Sequence, residues 1–272
     1  MLIPLDRAET IEIAGADALA FAHAQFTSDV ENLAVGAWHW SAWLSAQGRV
    51  RAMFVLLRIA PDRLLAWLPL GGAAGIRDAL SRFVLRAKVR LTVPEGQIFA
   101  AVRDEDLAIE RADQLVEHRG GFAFAQNGPQ RRIGWLGAAP ETSFDPHARD
   151  EWRLADIGAG LPWTAPALQD EFVPQALGLE RLDAIRFDKG CYPGQEIAAR
   201  LHFRGGNKRH LYRVRLASRI ETGSRIGTGE DAGVVLYSAP SADTFEALAV
   251  LSDAAVSSLR IEGDVVEIIG RL

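Results

Sequence analysis

One cysteine in a chain of 272 residues constrains the fold more than any other feature. Cys191 can form no intrachain disulfide. It cannot by itself hold a structural zinc or an iron–sulfur cluster either, because such sites take about four Cys or His ligands at short spacing and the histidines here are scattered. The fold must therefore be held by buried apolar surface. The composition allows this: 49% of the residues are apolar and 24% charged, the balance of a globular protein and not of a disordered or disulfide-stapled one. At about 100–200 residues per domain, the length suits one large or two modest domains. The longest apolar runs are interrupted by Arg58, Asp62, Pro69 and Gly71-Gly72, far short of the roughly 18 residues of a membrane span. The first residues lack the order of a secretory or transit peptide, so a cytoplasmic protein without membrane contact is expected.

Strand and helix signals alternate along the first two thirds of the chain. Residues 11–13 read as a strand, followed by a helix that Asp17 would cap. Two buried strands, 50–59 and 64–68, flank a turn at Pro61-Asp62. Ile76, Leu80, Phe83 and Val84 fall on one face of a helix, and Val89, Leu91 and Val93 alternate as a strand. Further strands are expected at 98–102, 122–125 and 133–136, then a linker at 140–145. Asp145-Pro146 is a helix start: the carboxylate caps orphan amides, and proline at the first position loses no hydrogen bond. That helix should run to about Ala159 and stop at Gly160. Beyond Gly205-Gly206 the pattern changes to short strands at 211–216, 233–237, 245–251 and 265–269, as in a small β-barrel or sandwich.

The segment from Arg186 to Glu196, which reads RFDKGCYPGQE, holds the cysteine and the most unusual local chemistry. Tyr192-Pro193-Gly194-Gln195 has proline and glycine where a type II turn requires them, and residues 196–201 then read as a short helix. Cys191 would lie near a helix start and near Lys189 and Arg186, all of which favour thiolate. A small buried thiol is the competing reading. Lys189 is itself unusual, since the chain has only two other lysines, Lys88 and Lys208. Six positive charges and no acid lie between Arg200 and Arg215, in a chain whose net charge is −5. Arg213 and Arg215 read as the outer face of a strand, which leaves Arg204, Lys208 and Arg209 as better candidates for an anionic ligand. Gly71-Gly-Ala-Ala-Gly75 lacks dinucleotide-binding spacing and reads as a helix entry. Trp38, Trp40 and Trp43 stand close enough in sequence to line one wall, although core packing is the commoner role.

Lys-Gly-Cys-Tyr-Pro-Gly-Gln-Glu at 189–196 resembles the signature of the YgfZ-type folate-binding proteins, relatives of the glycine cleavage T-protein. Phe21–Val30, Gln47–Val50, Trp152 with Ala159–Pro162, Phe172–Gln175 with Leu179-Glu180, and Phe203–Arg209 resemble further family blocks in the same order. The resemblance implies an α+β, three-lobed, T-protein-like architecture with ferredoxin-like units and a small C-terminal β-barrel. A folate-binding region would span 1–205, its two lobes dividing somewhere in 95–145, and the barrel 206–272. It further implies tetrahydrofolate or a one-carbon derivative as cofactor, no stably bound metal, and a role in maturing or repairing iron–sulfur enzymes, including tRNA-modifying ones. Iron–sulfur client or assembly proteins would be partners. Direct nucleic-acid binding is the lesser reading of the 200–215 segment.

On this resemblance Cys191 and Lys189 are the reactive pair. Lys189, Cys191, Tyr192, Gln195, Glu196, Arg200, Arg204 and Lys208 would contact the folate, with the thiol and ammonium facing its channel. Whether Cys191 is a nucleophile, a transient cluster ligand or a redox switch stays open. T-proteins carry an acidic pair where this chain reads Gly48–Met53, and a Glu where it has Gly158. Without such an acid or base, a proton-transfer contribution of roughly 10²–10⁴ is lost, so glycine-cleavage activity is expected to be absent. A one-carbon or aminomethyl transferase of unknown substrate is the alternative.

Overall fold

The computed structural model describes residues 1–103, 106–126, 131–139, 143–227, 232–257, 260–261, 264–265 and 267–272. The chain opens with β1 (Leu2–Arg7), β2 (Glu9–Ala14) and α1 (Ala18–Gln25), then β3 (Ala37–Leu44), β4 (Val50–Ala60) and β5 (Arg63–Leu68). Next come α2 (Ala73–Ser81), β6 (Arg90–Thr92) and β7 (Gln97–Val102), then β8 (Leu115–His118), β9 (Gly121–Gln126) and β10 (Arg132–Ala138). Two helices, α3 (Pro146–Ala159) and α4 (Gln195–Arg204), precede the C-terminal strands. These are β11 (Arg209–Leu216), β12 (Arg225–Ile226), β13 (Gly233–Ser241), β14 (Thr244–Ser252), β15 (Arg260–Ile261), β16 (Asp264–Val265) and β17 (Glu267–Arg271).

Three five-stranded sheets result, ordered β3-β4-β5-β2-β6, β1-β7-β10-β9-β8 and β12-β13-β14-β11-β17. All pairings within them among the described residues are antiparallel. The N-terminal strand β1 pairs with β7, so the first strand of the chain completes the second sheet. Local sequence cannot show that pairing. Where the spacing suggested a small barrel or sandwich, the C-terminal strands form a curled half-barrel sheet, open among the described residues. The expected linker at 140–145 lies partly outside the described residues. No helix among the described residues is long and apolar enough to cross a membrane.

Several elements follow directly from local chemistry. Asp145 accepts the amide of Ala148 at 3.0 Å, Pro146 opens α3, and Gly160 closes it in the left-handed conformation (φ 67°). Two end signals act differently from the sequence reading. Asp17 precedes α1, but its carboxylate accepts the Lys88 amide at 2.7 Å, tying the helix entry to the chain before β6. Helix α2 stops at Ser81, leaving Phe83 and Val84 beyond it, and Phe83 is 43% exposed with its ring 6.1 Å from Trp43. Gly72 (φ 96°) precedes α2, and the Glu9 carboxylate receives the Gly72 and Ala73 amides at 2.8 and 2.9 Å. The glycine run is thus a helix entry capped by the protein's own carboxylate.

One apolar core draws on all three sheets. Trp38 and Trp40 of β3, Trp67 of β5, Phe99 of β7, Phe124 of β9, Trp152 of α3, Trp163 and Tyr237 of β13 belong to it. Trp67 stacks on Phe99 at 4.0 Å, Phe99 meets Trp152 edge-on at 5.1 Å, and Trp40 lies 5.3 Å from Trp163. Trp43 belongs to a separate core with Phe26 and Phe54. The three tryptophans of β3 therefore do not share a wall: successive strand residues face opposite ways, and 43 has the other parity from 38 and 40.

In the second sheet Gly121 and Gly137 stand opposite each other, and the indole of Trp135 lies over both. A Cβ on Gly137 would come 2.4 Å from that ring. Gly137→Ala is expected to displace the indole and cost about 1–3 kcal/mol, read as a lower urea midpoint; an unchanged midpoint would refute this packing.

Candidate functional site

The motif at 189–196 is built against the segment that follows α1. A helix leaves its last carbonyls without intrahelical donors, and a cation there is favoured. Lys189 supplies it: Nζ donates to the carbonyl oxygens of His23 (2.6 Å), Phe26 (2.7 Å) and Ser28 (2.7 Å). All three of its N–H donors are engaged. Burial pushes the ammonium down to about 8, opposed by Asp29 and Glu31, so it remains charged at neutral pH. Thr27 reinforces the junction by donating to Ala184 O at 2.6 Å and accepting from Ala42 N at 3.0 Å. The ammonium expected to face a ligand channel is instead a clamp between two segments about 160 residues apart in sequence.

Of the rest of the motif, Tyr192 is buried, Pro193, Gly194 and Gln195 are half-buried, and Gly190, Cys191 and Glu196 are exposed. Tyr192 is buried and its hydroxyl donates to Arg186 O at 2.9 Å. Gly194 (φ 74°) makes the expected turn, with Gln195 N donating to Tyr192 O at 3.2 Å. A Cβ at Gly194 would lie 2.3 Å from Ser45 O, and one at Gly48 would lie 2.9 Å from the Ile197 Cβ. The β3–β4 turn and the start of α4 therefore touch backbone to backbone. Glu196 is exposed in the first turn of α4, and Gln195 is half-buried. Cys191 is exposed.

Neither cation expected to activate the thiol is free to do so. Lys189 is held as above, and Arg186 is paired with Asp183 (3.0 Å) and Asp188 (2.9 Å). Downstream, Arg200, Arg204 and Lys208 are exposed and have no acidic partner among the described residues. Arg213 and Arg215 are paired with Glu246 and Glu267, so the positive stretch is partly neutralised.

A separate cleft opens where the three sheets meet. Its walls are Trp67, Phe99, Trp152, Trp163 and Tyr237, with Arg7, Arg149, Arg153 and Asp156 among the polar groups. It encloses about 450 Å³ including its open mouth, of which only about 30 Å³ admits the centre of a water molecule. This is a narrow slot. Two buried donors of its lining residues, Trp152 Nε1 and Arg149 Nε, make no hydrogen bond, Arg149 Nε lying 3.8 Å from Asp150 Oδ1. Asp156 is buried, accepting from Arg132 at 2.7 Å and from Trp163 Nε1 at 2.9 Å. Burial raises its carboxyl above the usual carboxylate range, opposed by Arg132 and Trp163. None of the motif residues, nor Arg200, Arg204 or Lys208, lines this slot.

No family model matches the chain. It is 30% identical over 235 residues to an uncharacterized protein of Haemophilus influenzae, an alignment covering 82% of this chain and 77% of the relative. It is 30% identical over 234 residues to the tRNA-modifying protein YgfZ of Edwardsiella ictaluri, covering 79% of this chain and 70% of that one. The chain belongs to the YgfZ family. The YgfZ of Vibrio vulnificus is 29% identical over 231 residues, covering 77% of this chain and 68% of that one. Among solved structures, the glycine cleavage system aminomethyltransferase T of Bartonella henselae superposes with a TM-score of 0.70 over 99% of this chain and 84% of that chain. At 14% identity this likeness establishes a shared fold.

Two parts of this YgfZ-family site carried no usable sequence signal. Asp156 lies two residues before Gly158, on the buried side of α3, and only the fold shows that it enters the aromatic slot. Beside the Lys189 clamp, His39 Nε2 is 2.9 Å from Ser28 Oγ, which donates to Ser41 Oγ at 2.7 Å. Burial pushes His39 down to about 4, with Asp183 and Asp29 opposing. Its place in the Trp-rich β3 gave no hint of a polar pocket behind it.

Two measurements test this arrangement. Lys189→Met removes the donor from the His23 and Phe26 carbonyls and leaves Ser28 O with the Val30 amide alone, and is expected to cost about 3 kcal/mol in urea unfolding, whereas a loss below about 0.5 kcal/mol would show that the clamp contributes nothing. The neutral His39 makes stability pH-dependent, because the unfolded chain gains the proton near 6.5 and the folded one only near 4. Stability contributed by this group is present above about 6.5 and lost as pH falls toward 4, up to about 3 kcal/mol. His39→Gln should flatten this fall; equal pH profiles for the two proteins would contradict it.

Proposed function

We propose that this protein is a cytoplasmic, tetrahydrofolate-binding accessory factor that supports iron–sulfur enzymes of tRNA modification, with Cys191 as its reactive group. The aromatic slot carries this reading. Its flat walls suit the edge of a pterin or benzoate ring, and the slot would have to widen to take the whole ring system. Asp156 has acceptor capacity left on both oxygens for ring N–H groups. Trp152 Nε1 offers a donor to a ring carbonyl, and Arg7, Arg149 and Arg153 line the slot with cations for an anionic glutamate tail, Arg149 and Arg153 being shared with Asp150 and Asp6. When bound, a reduced folate supplies nitrogens able to carry a one-carbon unit. The protein's residues orient it and exclude water around it.

For Cys191 the support is structural economy. Lys189, Tyr192 and Gly194 are committed to holding the loop, and the thiol projects to solvent. Iron–sulfur clients would meet the thiol there. The family relatives' name, tRNA-modifying protein, supports the link to tRNA. A one-carbon or aminomethyl transferase is the second reading, favoured by a buried carboxyl in the slot whose raised proton affinity suits proton transfer. Against it, Gly48–Met53 still supplies no acid.

Tetrahydrofolate should quench the fluorescence of the slot's tryptophans, and Arg149→Gln should weaken its binding by about tenfold. Absence of quenching and of calorimetric binding would sink the folate reading. In cells lacking the protein, wild type should restore activity of an iron–sulfur tRNA-modifying enzyme and Cys191→Ser should not. Equal rescue by the serine variant removes the thiol's role but leaves the slot's. Formation of methylene-tetrahydrofolate from an aminomethylated lipoyl carrier at a T-protein's rate would favour the transferase.

A further inference from the structure

The outer face of α4 is not part of the slot and has a chemistry of its own. Glu196, Ile197, Arg200, Phe203 and Arg204 are all exposed and, at 100° per residue, occupy one contiguous face. Phe203 is 76% exposed, unusual for so large an apolar side chain, and Ile197 is 39% exposed. The Phe203 ring ends an aromatic cluster: Phe187 stacks on His202 at 4.5 Å, and His202 meets Phe203 edge-on at 4.7 Å. His202 is fixed from behind by Glu180 at 2.8 Å, so the cluster is braced. Arg200 and Arg204 flank the free ring one turn apart, and Lys208 follows in the loop after Gly205-Gly206. None of these three cations has an acidic partner among the described residues, and Glu196 is the one acid on the face. The nearby acids Glu180, Asp183 and Asp188 are each paired with His202 or Arg186.

We propose that this face binds single-stranded RNA, a base stacking on Phe203 while Arg200, Arg204 and Lys208 contact the flanking phosphates. Aromatic platforms beside positive charge are the recurring means of holding unpaired strands, because every base has a flat face whatever its sequence. A planar base can stack on the exposed Phe203 ring, which its edge-on contact with His202 holds in place. An acidic protein segment would use the cations but gains no such stacking. The inference goes beyond the folate reading and does not rest on it, since no residue of this face lines the slot.

The test is a fluorescence-anisotropy titration of a labelled, uridine-rich single-stranded RNA with folate-free protein. The free side chain of Phe203 makes Phe203→Ala a substitution that should leave the fold intact, which circular dichroism checks. Binding is expected in the micromolar range at low salt, weakened about tenfold by Phe203→Ala. Arg200→Gln and Arg204→Gln should each lower the slope of log affinity against log salt by about 0.7. Failure to bind RNA at about 100 μM protein, or binding unaffected by Phe203→Ala, overturns the proposal. Equal affinity for a duplex of the same length overturns the stacking role. Preference for polyglutamate over RNA, lost in the same variant, assigns the face to an acidic protein instead. Since the slot is untouched, each of these outcomes leaves tetrahydrofolate binding to be judged separately.

Discussion

Three hydrogen bonds from one ammonium hold together the part of the molecule where the family motif lies. From another part of the chain, Lys189 donates to the carbonyls of His23 and Phe26 at the end of α1 and to that of Ser28 just beyond it. An arginine could not replace it, because a planar fork cannot converge on three oxygens as a compact ammonium can. With that end of the loop fixed, Gly194 can approach Ser45 and Gly48 at backbone distance, and α4 starts in one defined place. The exposure of Cys191 and the direction of α4 both follow. A motif that looks catalytic is, for most of its residues, a device for holding one thiol and one helix still.

The second constraint is aromatic. Three sheets and α3 converge on one set of rings, and the slot is what close packing leaves between them. A buried carboxylate in such a place needs partners, and Asp156 has them in Arg132 and Trp163, which come from β10 and the chain after α3. Trp152 Nε1, buried and without a hydrogen-bond partner, is the natural place to expect a ligand. Stability and binding thus draw on the same rings, with polar groups deciding where a ligand could be accepted.

Where a signal acts within one turn, sequence reading succeeded. Asp145, Pro146 and Gly160 bound α3 as local capping chemistry requires, and Pro193-Gly194 makes the turn its φ preferences dictate. Where the outcome depends on distant chain, it did not. Asp17 is a cap by composition but serves Lys88, and Phe83 continues a helical pattern on a helix that has already ended. The six cations of 200–215 look alike in sequence, yet Arg213 and Arg215 are matched by Glu246 and Glu267 across the sheet while Arg200, Arg204 and Lys208 are not.

The sequence by itself determined the α+β character, the caps and turns, and which segment carries unusual chemistry, since these depend on neighbours within a few residues. Only the tertiary structure decided what that chemistry is for. Lys189 faces carbonyls and not solvent, Asp156 enters an aromatic slot, and Phe203 stands outside with its ring free. The physical reason is the same in each case: a side chain's role depends on its burial and its partners, and here those partners lie up to about 160 residues away in the chain. The lone cysteine shows both halves. Its count ruled out disulfides and self-contained metal sites, but only the fold shows that Lys189 and Tyr192 beside it are tied to backbone carbonyls while it faces out.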